Sequence, residues 1–335
     1  MTIVIHKAVL HILDFNAGLT VYSDAELELD DSIQTFLIKH IEKSWGSQGA
    51  KPGKFYEDSV FAQHLKAYKD GSLDFIAFSK EIGKTLEQAF THAEEMASAD
   101  VIVADVRIDD VPEIVIFKSN CHMGYTHQVT QTEEGGVRNE IINQYSIMPN
   151  LSQKMEEFAF VNPETEAISV SAKKYTIDGN SIYVFPEILL EAQLAPSQKE
   201  AMKSLQKTAE KVAKAYGQDE VAAAAAAKNY VAEKMETEDE LDLKQAGEEI
   251  FKGNAAMQAD FQDAVEDAGF TEPVHMDREA TLKKVCKHKL KTDTGIELTI
   301  PTDYFDNTEY VEFNTNADGT LSITLKHIAN IINRG

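Results

Sequence analysis

Residues 99–120, ADVIVADVRIDDVPEIVIFKSN, decide the fold of the first half of the chain. Val101-Ile102-Val103 and Ile114-Val115-Ile116-Phe117 are short, β-branched apolar runs, and Asp109-Asp110-Val111-Pro112 between them is turn chemistry. Two such runs across a tight connection predict an antiparallel hairpin.

Working outward, the same grammar repeats. Thr2–Leu13 reads as a strand and returns through Asp14, Asn16 and Gly18 into Leu19–Tyr22. Past the central hairpin, Gly135-Gly136 precedes a β-like stretch, Val137–Tyr145. Phe158–Val161 and Ala167–Ala172 flank Asn162-Pro163-Glu164-Thr165, another hairpin signal. Between the first strands and residue 99 the period changes to that of helices. Ser32–Trp45 carries Ile33, Phe36, Leu37, Ile41 and Trp45 at helical spacing, with Asp30 or Asp31 as N-cap. Gly46–Gly53 reads as a turn-rich loop. Two helices follow, Ser59–Lys69 and Leu73–Met96, and the second has one apolar stripe of Phe75, Phe78, Ile82, Leu86 and Phe90.

Near residues 190–198 the sheet-rich pattern gives way to helix. Ser197 with Glu200 three residues on is a capping box, and helix formers run from Gln198 to Lys234, divided at Gly217. Thr237–Asp242 reads as an acidic helix start, and Asn254–Ala268 as a helix closed by Gly269. The tail is β again: Lys289–Lys291 into Ile296–Ile300, then Tyr310–Asn314 and Thr320–Leu325 around Asn316–Gly319, with a short helix at His327–Asn333. The expected fold class is α+β. Residues 1–195 form an antiparallel sheet with packed helices, and residues 196–335 form a helical domain ending in a small β-sheet.

The net charge is −24 over 335 residues, and neither half is basic. DNA affinity independent of sequence comes from Lys and Arg neutralising phosphates, so any direct contact must use a local basic patch. Two such patches stand out. Lys199, Lys203, Lys207 and Lys211, spaced by four and followed by Lys214, make a slanting stripe on a helix, with Glu200 and Glu210 nearby. Lys283, Lys284, Lys287, His288, Lys289 and Lys291 form the most basic window, with no acid from Thr281 to Thr292. Lysine without arginine suits phosphate contact more than base reading.

No phosphate-loop, dinucleotide, zinc-protease or nucleophile-elbow motif occurs, and no cofactor is expected. Cys121, His122 and His127 have no evident fourth ligand, and strand parity turns Cys121 and His122 apart, so no metal is assigned to them. His6 and His11 fall on opposite faces of the first strand, with nothing linking them to a nucleophile. Asp105, Asp109, Asp110 and Glu113 crowd one hairpin end, where carboxylates could hold Mg²⁺ or simply make the turn. Cys121 and Cys286 are too isolated for a disulfide framework and suit reduced thiols in a cytosol. The N-terminus lacks the layout of a signal peptide, and no apolar run reaches a membrane-spanning length.

Taken in order, Ile5–Leu13, Phe61-Ala62-Gln63-His64-Leu65, Asp74-Phe75-Ile76-Ala77-Phe78-Ser79, Ala99–Val103 with its hairpin to Phe117, Gly295-Ile296-Glu297-Leu298-Thr299-Ile300-Pro301 and Asp318–Ile323 resemble the bacterial 37-kDa nucleoid-associated proteins. The length agrees. The resemblance implies a non-catalytic cytoplasmic protein found with the nucleoid. It carries no contact residues with it, so the candidates remain the two lysine patches. The leading expectation is weak, non-specific association with double-stranded DNA, with a homodimer pooling two sets of patches. One alternative is an acidic interaction module that reaches DNA through a basic DNA-bound protein. Another is a metal-dependent nuclease built on Asp105, Asp109 or Glu113.

Overall fold

The computed structural model describes residues 1–95, 98–131, 135–285, 287–305, 307–316 and 320–330, with the side chains at 145–146, 287–289, 302–303, 315 and 321 left aside. The chain forms two compact units, Met1–Ala195 and Pro196–Gly335, in an α+β architecture.

The first unit runs β1 (Ile3–Asp14), β2 (Leu19–Val21), α1 (Asp31–Ser44), β3 (Lys51–Phe55), α2 (Val60–Asp70), α3 (Phe75–Thr91), β4 (Ala99–Ile108), β5 (Val111–Asn120), β6 (His122–Gln131), β7 (Val137–Ile147), β8 (Glu157–Val161), β9 (Ile168–Ser171), β10 (Lys174–Ile177), β11 (Asn180–Tyr183), a π-helical turn (Val184–Leu189) and β12 (Ala192–Leu194). Eight strands make one antiparallel sheet in the order β12-β3-β9-β8-β5-β4-β1-β2. Strand alternation divides its core in two. Ile102, Ala104, Val106, Val115, Phe117, Phe158 and Phe160 meet Leu37 and Ile41 of α1. On the other face Val101, Val103, Ile114 and Ile116 meet the α3 stripe, Phe75 to Phe90, and Leu65 of α2. The unit is therefore three layers, with β4 and β5 apolar on both faces because both faces are covered.

Local chemistry sets the element ends. Asp30, Ser59 and Asp74 cap α1, α2 and α3 by accepting from Ile33, Ala62 and Ala77 amides. The β4–β5 turn is tighter than the four-residue connection expected. Asp109 and Asp110 both sit at positive φ, 48° and 66°, which is a two-residue hairpin turn matched to strand twist. Pro112 lies inside β5 opposite Arg107, beyond the Ile114–Lys118 stretch that pairs with β8, so its missing N–H leaves no ladder bond unmade there.

Three further expectations change. The end of the loop drawn at Gly46–Gly53 is strand β3, inserted between β12 and β9. A Cβ on Gly53 would lie 2.5 Å from Leu194 Cδ2, so this glycine admits the neighbouring strand rather than breaking its own. Helix α3 stops at Thr91 instead of Met96, because Ala93 bridges to Ile177. Residues 326–330 adopt no helix, and the rest of the expected terminal helix lies outside the described residues.

The second unit runs α4 (Gln198–Ala215), α5 (Glu220–Thr237), β13 (Glu240–Leu241), α6 (Leu243–Ile250), α7 (Ala255–Asp267), β14 (Val274–His275), α8 (Arg278–Val285), β15 (Lys287–Lys291), β16 (Glu297–Pro301), α9 (Thr302–Phe305), β17 (Val311–Thr315) and β18 (Leu321–Leu325). Both halves of the Ser197–Glu200 capping box form. Gly217 divides α4 from α5 at φ 67°. The acidic start near 237–242 is split: Glu240 and Leu241 pair with His275 and Val274, and Asp242 caps α6. Leu205, Val212, Tyr230, Val231, Met257 and Phe261 fill the helical core. A small second core gathers Ala225 of α5 with Ile300, Phe305 and Val311, which seats the terminal hairpins. Among the described residues no helix is long and apolar enough to cross a membrane.

Candidate functional site

Helix α4 is amphipathic in a simple way. Ala201, Leu205, Thr208, Ala209, Val212 and Ala213 are buried, which leaves the residues two positions on, Lys199, Lys203, Lys207 and Lys211, exposed. A step of four residues advances about 6 Å along the axis and drifts about 40°, so the stripe runs about 18 Å. The helix's own acids are occupied elsewhere. The Glu200 carboxylate accepts from the Ser197 amide and hydroxyl, and Glu210 accepts from the Gln206 amide group at 2.8 Å. Among the described residues no carboxylate lies within ion-pair distance of these four lysines. Lys214, at the end of the row, pairs with Glu220 at 3.2 Å.

The 283–291 window is built differently. It spans the end of α8 and the strand β15. Lys283 Nζ donates to Glu279 at 2.5 Å across one helical turn, and this neighbour holds the ammonium above its ordinary pKa. Lys291 pairs with Glu297 at 3.0 Å across the β15–β16 ladder. Lys284 is exposed. The side chains of Lys287 and Lys289, and Cys286, lie outside the described residues. The acid-free run in the sequence is thus no acid-free surface, because helix and ladder bring carboxylates from positions 279 and 297.

The acidic hairpin end does not assemble a metal site. Strand parity puts Asp105 and Glu113 on opposite faces of the sheet: Asp105 pairs with Ile114, Glu113 with Val106. Asp105 accepts from the Tyr68 hydroxyl on the α2 side. Glu113 is buried on the α1 side with Asn162 at 3.4 Å, and burial pushes its carboxyl up to about 7. Asp109 takes the Thr2 amide at 2.7 Å, and Arg107 donates to the Asp110 carbonyl rather than to Asp105. His122 and His127 lie five residues apart along β6, about 16 Å and on opposite faces. Among the described residues no three His, Cys, Asp or Glu side chains gather as a metal site.

Two buried constellations were not linked by sequence reading. His11, wholly buried on β1, lies 3.1 Å from the Ser79 hydroxyl. Its Nδ1 accepts from the Ser23 amide at 3.1 Å, which puts the ring proton on Nε2, directed at Ser79. Ser79 in turn donates to the Ile76 carbonyl. A ring that donates to the serine cannot take its proton, and burial holds the imidazole neutral, with its pKa down to about 4. The pair therefore ties β1 to α3. Lys118, at the end of the Ile114–Phe117 run, donates to Asn120, Glu157 and Tyr175 at 2.6, 2.9 and 3.0 Å and sits 4.6 Å over the Phe90 ring. All three ammonium protons are used, so this buried group fastens β5 to β8 and β10. Its only sequence signal is a lysine directly following an apolar strand.

A surface groove of about 610 Å³ lies between β3, α2 and the Thr165–Ala167 turn. The buried hydroxyl on its rim, Ser59, is spent on Leu190 O and the Ala62 amide, so no buried polar group points into it. From Lys199 to Lys211 the α4 row is exposed and, among the described residues, without an ion-pair partner. Among curated proteins none matches the chain. A family model described as nucleoid-associated protein YejK matches residues 9–333, nearly the whole length, and the protein belongs to that family.

Proposed function

We propose that the protein binds double-stranded DNA directly, weakly and without sequence preference, and that the α4 stripe of Lys199, Lys203, Lys207 and Lys211 makes the primary contact. The observation that carries this reading is the stripe itself: four exposed ammonium groups in a row, none paired with a carboxylate among the described residues, on a chain of charge −24. Their axial spacing of about 6 Å is close to that of every second phosphate along one strand. Lys283, Lys284, Lys287, Lys289 and Lys291 act as an auxiliary patch, with Lys283 and Lys291 partly neutralised by their neighbours. Family membership places the protein with the nucleoid in the cytoplasm. The role proposed there is non-catalytic, since the carboxylates near the β4–β5 turn are divided between two faces of the sheet.

A salt titration of duplex binding tests this. Each phosphate neutralised contributes about −0.9 to the slope of log K against log salt, so four lysines give a slope of about −3 to −4. The fourfold variant K199Q/K203Q/K207Q/K211Q should lose most of that slope and bind all sequences equally poorly. Lys283→Gln with Lys284→Gln and Lys287→Gln should weaken binding less. Wild-type affinity in the fourfold variant would remove the stripe from the reading. A purified protein that shifts no duplex at low salt, yet is retained by DNA already coated with a basic protein, would move it to the bridging alternative.

A further inference from the structure

Strands β6 and β7 form a two-stranded sheet of their own, outside the eight-stranded one. Their register puts Tyr125, His127, Val129 and Gln131 on one face with Asn143, Ile141, Asn139 and Val137. Not one of these eight residues is an acid, a lysine or an arginine. All eight are exposed, Ile141 to 81 %, Tyr125 and Val137 to 67 % and Val129 to 60 %. The reverse face carries Gln128, Thr126 and Thr130 with an Arg138–Glu140 pair at 2.8 Å. An isolated two-stranded hairpin is marginal in water, and four exposed apolar side chains, Tyr125, Val129, Val137 and Ile141, on one face of such an arm mark an interaction site.

We infer that the uncharged face of the β6–β7 arm docks against the same face of a second copy of this chain. Charge selects this occupant. DNA needs cations, and the face has none. A basic protein would be drawn to carboxylates, which are plentiful elsewhere on the molecule and absent among the described residues of this face. A second copy brings a further −24, so two copies approach at least cost where neither carries charge, and a two-fold axis makes one uncharged, half-apolar face complementary to itself. The area fits a modest complex. Ten-residue strands give a face of about 33 Å by about 12 Å, roughly 400 Å² per copy and 800 Å² per pair. Met123, exposed at the base of the arm and of the same strand parity, adds to this, and the total stays below the roughly 1,000 Å² floor of specific interfaces. The association is therefore weak and concentration-dependent. It strengthens with salt, which screens the repulsion between two acidic chains, whereas duplex binding weakens with salt.

Sedimentation equilibrium of the full chain from about 1 µM to about 500 µM, at low and high salt, tests this by mass action. The mass should rise from 37.2 kDa towards twice that, at lower concentration in high salt. The double variant V129E/I141E should stay monomeric, and T126E/Q128E on the reverse face should behave as wild type. In parallel, hydrogen exchange of the wild type should slow at least threefold between 122 and 147 as concentration rises. This readout stands even where the double variant fails to fold. A wild type that stays monomeric, a V129E/I141E protein that dimerises normally, or arm amides indifferent to concentration would each overturn the inference. So would loss of duplex binding in V129E/I141E with its self-association intact, which would assign the face to DNA. The lysine stripe remains intact in these variants, so failure here leaves the DNA reading standing.

Discussion

Two hairpins of nearly equal length follow one another in the first unit and meet opposite surroundings. β4–β5 lies in the middle of the eight-stranded sheet, with Ile102 and Phe117 buried under α1, and Val103 and Ile116 buried under α3. β6–β7 has strands of 10 and 11 residues and is open to solvent on both faces. Pairing is local in both. What differs is that the first is apolar at both parities, while the second interleaves Thr, Gln and Asn and keeps its apolar residues mainly to one side. An antiparallel ribbon joins a core only when a second layer can be laid on each apolar face.

Phe117→Ala should produce the largest effect that sharpens this contrast. The ring is almost wholly buried and meets Phe158 and Phe160 edge to face, so truncation should cost about 3–5 kcal/mol by urea denaturation. A loss below about 1 kcal/mol would mean that the α1-side core is looser than its packing indicates.

A pH-dependent effect should come next. Burial lifts the Glu113 carboxyl from an ordinary 4.5 to about 7, so the folded chain holds this proton more tightly than the unfolded one. Stability is then full below about pH 4.5 and falls as pH rises towards 7, where ionisation inside the sheet is forced. Glu113→Gln removes that penalty. It should be near neutral at pH 4.5 and stabilise the protein at pH 8 by roughly 1–3 kcal/mol. Asp100, lifted to about 6 by burial and by Asp14, adds a drift of the same sign that both proteins share. His11 acts at the other end: its depressed pKa makes its contribution vanish as pH falls from 6.5 towards 4. Equal stability of Glu113→Gln and wild type at pH 8 would contradict the burial argument.

The contrast also shows what could be read in advance. The β4–β5 pair, the α3 stripe and the capping box at Ser197 were legible because each is a short-range pattern of period, turn or cap. The arm was half legible. Val137–Tyr145 read as β, but β6 is a mixture of His, Gly, Thr and Gln with weak alternation, and nothing local says that it lies outside the sheet. β3 was hidden because Pro52 and Gly53 are poor strand residues, and only the close approach of Leu194 explains the glycine. At the candidate site, the α4 stripe was visible from spacing alone. The pairing of Lys283 with Glu279 was within reach of the i,i+4 rule. That of Lys291 with Glu297 needed the β15–β16 register.

A smaller effect belongs to the base of the arm. A Cβ at Gly124 would lie 2.1 Å from Ile147 Cδ1, at the register shift between His122 and Gly124. Gly124→Ala should therefore push the Ile147 side chain aside, at about 1 kcal/mol. Local hydrogen exchange should quicken between 125 and 143 while global unfolding stays put, because these strands belong to no other sheet. Adding Ile147→Ala should restore the arm's protection. If the single variant lowers global stability as much as Phe117→Ala does, the two hairpins form one cooperative unit.

The smallest effect expected is also the sharpest test of the comparison. Ile141 is among the most exposed large apolar side chains described in the protein, and its opposite neighbour on β6 is His127. A leucine or isoleucine in the core loses about 2–5 kcal/mol on truncation. Ile141→Thr removes apolar surface that the isolated chain never buried and keeps β-branching, so at micromolar protein its unfolding free energy should stay within about 0.5 kcal/mol of wild type. A deficit that appears only as protein concentration is raised would locate the missing contact in a second molecule. A deficit present at every dilution would show that this face already packs within its own chain, and the arm would then be an ordinary piece of the first unit.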